Sequence, residues 1–89
     1  MSRLKWKYKK YIEFLKNYHF ELGHVKGSHH YYNGRIYGED RVVQVIVSER
    51  EKDCQTNKTI KMGIKHSGIP KEFFEEWDKK EVVHQEIIF

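Results

Sequence analysis

The chain has 89 residues, of which 38% are hydrophobic, 15% aromatic and 34% charged. This length fits one small domain over residues 1–89, and the aromatic content allows a core built from few, large side chains. No apolar run approaches the roughly 20 residues of a membrane-spanning helix, and no signal-peptide pattern follows the basic N-terminus. The one cysteine, Cys54, has no partner for an internal disulfide. We therefore expect a cytoplasmic protein without a membrane segment.

Charge is distributed unevenly along the chain, whose formal net charge is +4. The first ten residues carry five basic side chains and no acidic one. A second basic group follows later, at Lys58, Lys61, Lys65 and Lys71. Acidic side chains gather after it, between residues 72 and 81. A basic side and an acidic end suggest a polyanionic partner such as a nucleic acid, although a solvated, lysine-rich surface has the same composition.

The first predicted element is an amphipathic helix from about Lys5 to Tyr18, because apolar side chains recur there at the spacing of one helix face. Two strands are predicted next, in "FELGHVKG" and in the aromatic "HHYY". Asn33-Gly34 predicts a hairpin turn, after which "RIYGED" either extends the strand pair or forms its loop. The clearest strand is "RVVQVIVSE", whose β-branched run indicates a largely buried position.

Two short helices are predicted after a polar loop. The segment "TIKMGIKHSG" predicts a helix that Asn57 or Thr59 caps and that Gly68 ends. A proline suited to a first helical turn opens "PKEFFEEWDKK", with Phe73 and Trp77 on one face. The tail "EVVHQEIIF" is expected to pack as an added strand or to pair with a partner chain. The predicted order is therefore α-β-β-β-α, with the second α in two pieces.

Six histidines are present, and two of them, His29 and His30, are adjacent. Zinc sites need three or four ligands at defined spacing, and the sequence contains no Cys-x-x-Cys or His-Glu-x-x-His motif. On a strand, neighbouring histidines point to opposite faces and cannot easily share one ion. Cys54 lacks the local signature of a nucleophile, and no phosphate-binding glycine loop occurs. We therefore expect neither a metal nor a cofactor.

The histidines are suited to acid–base chemistry, since imidazole can both take and give a proton near neutral pH. RNA supplies its own nucleophile, the 2′-OH, so a ribonuclease needs little beyond a base, positive charge and positioning. The segment "KGSHHYYNG" offers His29 or His30 as the base, Lys26 for the phosphate and backbone amides at Gly27-Ser28. Stacking of an RNA base is expected from one of three tyrosines, Tyr31, Tyr32 or Tyr37. The simpler alternative is an exposed histidine pair beside tyrosines that belong to the core.

The same segment and its flanks resemble the HicA family of toxin ribonucleases. The resemblance spans roughly residues 8–77 and rests on "YKKYIEFLKNYHFEL", the Gly27-Ser28-His29 motif, "VVQVIV" and "TIKMGIKHSGIPKEFFEEW". It implies a double-stranded-RNA-binding-domain-like fold of the α+β class, with a three-stranded antiparallel sheet and both helices packed on one face. It also implies a toxin that cleaves mRNA and is held inactive by a HicB-type antitoxin covering the site.

The resemblance also implies site residues. The family's catalytic histidine maps onto His29, which directly follows the Gly-Ser pair, and His30 is the second candidate. Charge and position, rather than the resemblance, suggest two further roles. Lys26 is expected to offset phosphate charge, and Lys61 and Lys65 are expected to help hold the RNA backbone.

Two other functions remain open. After its third strand the chain has "VIVSERE", which contains neither the proline nor the histidine of the family's "VPxH" pattern. This departure favours a non-catalytic RNA-binding module of the same fold, which would read RNA by shape and 2′-OH contacts. A third hypothesis is an interaction domain whose tail, "VVHQEIIF", pairs with another chain by strand addition.

Overall fold

A computed structural model describes residues 6–47, 55, 57–80 and 83. In chain order these form helix α1 (Tyr8–Asn17), strands β1 (Glu21–Lys26), β2 (His29–Ile36) and β3 (Glu39–Ile46), and helices α2 (Asn57–Ser67) and α3 (Lys71–Lys80). The sheet has the order β1-β2-β3, and both strand pairs are antiparallel. The predicted α+β class and α-β-β-β-α order, with the second α in two pieces, are confirmed. None of the described helices is long and apolar enough to cross a membrane.

Two tight turns join the strands. Gly27-Ser28 connects β1 to β2, with Gly27 at a φ of 59°, and Tyr37-Gly38 connects β2 to β3 with φ values of 51° and 77°. Two positive φ values in succession are what a type I′ hairpin turn requires. The predicted turn at Asn33-Gly34 is wrong, because both residues lie inside β2. Gly34 is needed for packing instead, since a Cβ there would lie 2.6 Å from the Phe20 ring.

The core lies between the helices and one face of the sheet. The sheet contributes Tyr32 and Ile36 from β2 and Val43 and Val45 from β3, all buried. The helices and adjoining segments contribute the rest: Trp6, Tyr11, Phe14, Leu15, Tyr18, Phe20, Ile60, Ile69, Phe74 and Trp77. Packing of the helices on one face of the sheet is therefore confirmed, and the opposite face carries exposed and half-buried side chains.

Trp6 lies at the centre of this core although it precedes α1. Its side chain is fully buried, and its indole N–H donates a hydrogen bond to Asp78 Oδ1 at 2.6 Å. Its backbone carbonyl accepts a 2.6 Å bond from the Gln55 N–H. Four aromatic rings have centroids 5.1–5.9 Å from that of Trp6: Tyr11, Phe14, Phe74 and Trp77. Trp6, which lies before the first helix, is thus part of the core.

Gln55 completes the edge of the sheet. Its side-chain oxygen accepts a hydrogen bond from the Ile46 N–H at 3.1 Å, and its side-chain nitrogen donates to the Ile46 carbonyl at 2.6 Å. An edge strand otherwise leaves such groups unpaired. Because the same residue also bonds Trp6, it connects the end of β3 to the aromatic core.

Helix α3 packs through Phe74 and Trp77, which are buried, whereas Phe73 is only half-buried. Phe73 lies one helical turn before Trp77, on the same side of α3 as predicted, and packs against the core while partly exposed. The sequence analysis did not single out Phe74, which is the more deeply buried of the two phenylalanines. Val83 packs against the core. Residues 81–82 and 84–89, where a further strand was predicted, lie outside the described residues.

The helix ends agree only in part with the predictions. Gly68 follows the end of α2 with a φ of 73°, as a helix-ending glycine should. Asn57 and Thr59 lie inside α2 rather than before it, so neither is the capping residue, and residue 56 is outside the described part of the chain. Helix α1 begins at Tyr8, three residues after the predicted start at about Lys5. Lys5 itself is outside the described part of the chain.

Replacing Gly63 with alanine is expected to destabilise the protein, unlike most such changes in a helix. Alanine is favoured over glycine in helix interiors by roughly 1 kcal/mol. At Gly63, however, a Cβ would collide with the hydroxyl of buried Tyr11 and lie 2.9 Å from its ring carbon Cζ. We expect Gly63→Ala to lower the free energy of unfolding by about 1–3 kcal/mol, the usual cost of overpacking, in urea denaturation.

The control is Tyr11→Phe, which removes the hydroxyl. No described residue hydrogen-bonds this hydroxyl, and burial raises the pKa of Tyr11 above its ordinary value. Tyr11→Phe alone should therefore be close to neutral for stability, because no hydrogen bond is lost. The double variant should be more stable than Gly63→Ala. If the double variant and Gly63→Ala lost the same free energy of unfolding, the collision with the Tyr11 hydroxyl would not be the cause of the destabilisation.

The contact of Asp78 with Trp6 and Lys10 predicts acid-sensitive stability. Burial by itself raises the pKa of Asp78. Hydrogen bonds from Lys10 at 2.9 Å and from Trp6 at 2.6 Å lower this pKa, as do the positive charges of Lys10 and Lys79. The net result is a pKa below the ordinary value of 3.8. A lowered folded-state pKa stabilises the fold above the unfolded pKa and ceases to do so as the pH falls through the folded value. The difference in unfolding free energy between wild type and Asp78→Asn should therefore narrow from pH 7 to below pH 3.8. Asp40→Asn is the control, because Asp40 is 91% exposed and its ion pair is 3.8 Å long.

Candidate nucleic-acid interface

The two adjacent histidines lie on opposite faces of β2, as strand alternation predicts. His29 is the first residue of the strand and is exposed. His30 is half-buried and pairs with Val45 of β3, which is buried in the core. Cross-strand partners share a face of the sheet, so His30 points to the helix-packed side and His29 to the opposite side. Of the two candidates for a base, His29 is the one accessible to a large substrate on the side away from the helices.

Lys26, Gly27, Ser28 and His29 lie together at one end of the sheet. Lys26 is the cross-strand partner of His29, and both side chains are exposed. Gly27 and Ser28 form the turn between them, and the Ser28 carbonyl accepts a 2.8 Å hydrogen bond from the Val47 N–H. This bond attaches the turn to the chain beyond β3. The hairpin therefore sets a cation beside an imidazole on one face.

An aromatic pair lies next to His29 on the same face. His24 and Tyr31 are cross-strand partners, with ring centroids 5.7 Å apart and planes inclined by 33°. Tyr31 follows His29 by two residues, so both point to the same side of β2. Tyr32 is buried in the core, where burial raises its pKa, and Tyr37 lies in the β2–β3 turn. Of the three tyrosines predicted to stack a base, only Tyr31 shares the His29 face of β2.

A groove of about 270 Å³ lies between this face of the sheet and α2. It is lined by Tyr31, Val42, Gln44, Thr59, Met62 and His66. Sequence patterns did not identify this groove, because its walls come from three separate segments. One signal was present in the sequence: Gln44 is the only polar side chain in the run from Val42 to Val47. A polar residue inside an otherwise apolar strand indicates a side chain on a face that is not core.

The lysines of α2 form a stripe beside the groove. Lys58, Lys61 and Lys65 are exposed and follow one another at i, i+3 and i+7, the spacing of one helix face. This stripe lies away from the buried face of Ile60 and next to Met62, which lines the groove. Lys61 and Lys65 are therefore exposed on α2, and neither is among the residues that line the groove.

No three His, Cys, Asp or Glu side chains are grouped to hold a metal ion among the residues that the structure describes. Cys54 and His84 are outside that part of the chain. The independence from metals and cofactors accordingly stays a prediction, based on the chemistry that histidine and RNA can perform together.

The motifs behind the HicA resemblance occupy defined places in this fold. The Gly-Ser pair forms the β1–β2 turn, His29 opens β2, and the segment resembling the family's final helix forms α2 and the start of α3. The order of elements agrees with what the resemblance implies. Membership of the family stays a prediction. Comparisons with protein-family models, with curated proteins and with solved structures gave no match to this chain.

Proposed function

We propose that the chain is an endoribonuclease that cleaves mRNA without a metal, with His29 as the general base. The observation that supports this proposal is the arrangement around His29. Its exposed side chain lies across the hairpin from the exposed Lys26, and Tyr31 follows two residues later on the same face of β2. His29 would take the proton of a ribose 2′-OH, whose oxygen then bonds to the adjacent phosphorus. The bond from phosphorus to the 5′ oxygen breaks, and that oxygen takes a proton from solvent. The products are a 2′,3′-cyclic phosphate and a 5′-hydroxyl.

The surrounding charge supports a polyanionic substrate. The Lys26 ammonium lies across the hairpin from His29, where it would offset the negative charge of the scissile phosphate. The stripe of Lys58, Lys61 and Lys65 would hold the backbone farther along the strand. Neutralising phosphates releases counterions, so binding should weaken steeply as salt rises.

Within this proposal the protein is a cytoplasmic toxin, and a HicB-type antitoxin covers the His29 face. The resemblance in sequence suggests the partner. Two exposed apolar side chains at the groove, Val42 at 52% and Met62 at 43% exposure, are compatible with a protein surface that becomes buried on binding. Co-expression of the protein with an open reading frame adjacent to its gene should relieve any growth arrest that the protein causes alone.

The experiment that tests the proposal uses end-labelled single-stranded RNA in the presence of EDTA. We expect cleavage that leaves a 2′,3′-cyclic phosphate, and no cleavage after a nucleotide that carries a 2′-deoxyribose. Wild-type protein that cuts the deoxy-substituted linkage equally well would contradict the mechanism, because that linkage has no 2′-OH nucleophile. Loss of cleavage in EDTA would contradict metal independence.

A non-catalytic RNA-binding module is the second candidate. It is favoured by the surroundings of His29, because no described side chain hydrogen-bonds this imidazole to orient it. A general base is normally held by such a partner. Stoichiometric, salt-sensitive binding of RNA with no product after long incubation would decide for this alternative.

A further inference from the structure

We infer that the groove between the His29 face of the sheet and α2 is a subsite for one unstacked nucleobase of single-stranded RNA. This inference rests on the proposed function, because it assumes that RNA binds on the His29 face. It goes further by assigning the stacking residue, the residue that reads the edge of the base and the strandedness of the substrate.

The composition of the groove matches the chemistry of a nucleobase. Tyr31 offers a ring for stacking, and Val42 and Met62 supply apolar walls. Gln44 lies directly across from Tyr31 in the sheet. An amide both donates and accepts hydrogen bonds, as the edge of a base does. The stacking group and the edge-reading group are thus adjacent, as a base subsite requires.

Two polar side chains of the groove are available to a ligand. Among the described residues, no hydrogen bond occupies the Gln44 amide or the His66 imidazole, although both line the groove. Gln44 is half-buried, so its amide gains more from a ligand partner than a fully solvated amide would. A volume of about 270 Å³ is large enough for one nucleobase.

The position of the groove relative to His29 fits a bound nucleotide next to the cleaved linkage. Tyr31 follows His29 by two residues on one strand, which separates their Cα atoms by about 7 Å. The sugar and phosphate of one nucleotide bridge such a distance, so a base on Tyr31 would bring its own ribose or the next towards His29. Paired bases are stacked in a helix and cannot enter a groove of this kind, which is why we assign single-stranded RNA.

The test measures equilibrium binding of fluorescent 2′-O-methyl RNA, whose blocked 2′ oxygen prevents cleavage. Tyr31→Ala should weaken binding of single-stranded oligonucleotides on the order of ten- to a hundredfold, the effect of losing one stacked base, while Tyr31→Phe keeps most of the affinity. Tyr37→Ala is the matched control and should leave binding unchanged, because Tyr37 is 51% exposed in the β2–β3 turn and does not line the groove. Gln44→Ala should make the affinities for adenine, cytosine and uracil homopolymers more alike. Its effect on the average affinity for the three homopolymers should be smaller than this loss of preference.

A complementary measurement leaves the protein unaltered. An oligonucleotide with one abasic position, moved stepwise along the strand, should lose affinity at one position if a single base occupies the groove. Equal affinity at every position, or unchanged binding by folded Tyr31→Ala, would overturn the subsite. These outcomes are separate from failure of the proposed function. RNA cleavage with no abasic effect removes the subsite alone, whereas absence of any RNA binding and cleavage removes both.

Discussion

Replacing Trp6 with alanine is expected to lower the free energy of unfolding by about 3–5 kcal/mol. The indole is fully buried, stacks on Phe74 with planes inclined by 17°, and donates a hydrogen bond to Asp78. Its removal creates a cavity where α1 and α3 meet and leaves the carboxylate without one donor. Small domains have only about 5–15 kcal/mol of total stability, so a large part of it would be lost. Urea denaturation followed by far-UV circular dichroism measures the change.

Trp6→Phe is the control that separates packing from hydrogen bonding. Phenylalanine keeps a ring against Phe74 but cannot donate to Asp78, so its effect should be clearly smaller than that of alanine. In the Asp78→Asn background the penalty of Trp6→Phe should shrink, because the charge-assisted bond is already weakened. A Trp6→Ala variant within about 1 kcal/mol of wild type would contradict the central position of Trp6 in the core.

The importance of Trp6 could not be predicted from periodicity. The helical repeat identifies Tyr11 and Leu15 within α1, but Trp6 precedes the helix and belongs to no repeat. Its burial depends on Asp78 and the rings of α3, about seventy residues later in the chain. Local patterns contain no information about which distant helix will cover a given segment.

The turns show a different reason for error. Asn-Gly is the stronger local signal for a type I′ turn, yet Tyr37-Gly38 forms it. Asn33-Gly34 stays in β2 because the Phe20 ring packs against Gly34, leaving no space for a side chain. A glycine selected for close packing looks the same in the sequence as a glycine selected for a turn.

Only part of the candidate site could be predicted from local sequence. Lys26 and His29 are three residues apart and meet across a two-residue turn, so their proximity follows from local sequence. The opposite orientation of His29 and His30 likewise follows from strand alternation. The groove does not, because Gln44 and His66 are 22 residues apart in number and meet only after α2 packs beside β3. Tertiary packing therefore creates the subsite, while local sequence supplies the histidine and lysine beside it.

Replacing His29 with alanine is expected to reduce the rate of RNA cleavage by about 10²–10⁴-fold, the usual contribution of a general base. Because His29 is exposed and no described side chain bonds it, the free energy of unfolding should stay within about 0.5 kcal/mol of wild type. RNA affinity should also change little, since Lys26 and the α2 lysines remain. Single-turnover cleavage, urea denaturation and binding of 2′-O-methyl RNA measure the three quantities on the same variant.

The neighbouring histidine provides the matched control. His30→Ala makes the same chemical change one residue later, but on the helix-packed face, where the side chain is half-buried beside Val45. We expect His30→Ala to lower the free energy of unfolding. The cleavage rate of the folded variant should stay within a few-fold of wild type. The opposite result, with activity lost in folded His30→Ala and kept in His29→Ala, would place the base on the core side of the sheet. Since the helices cover that face, it would also require the substrate to enter beyond their edge, and the assignment of His29 as the base would be wrong.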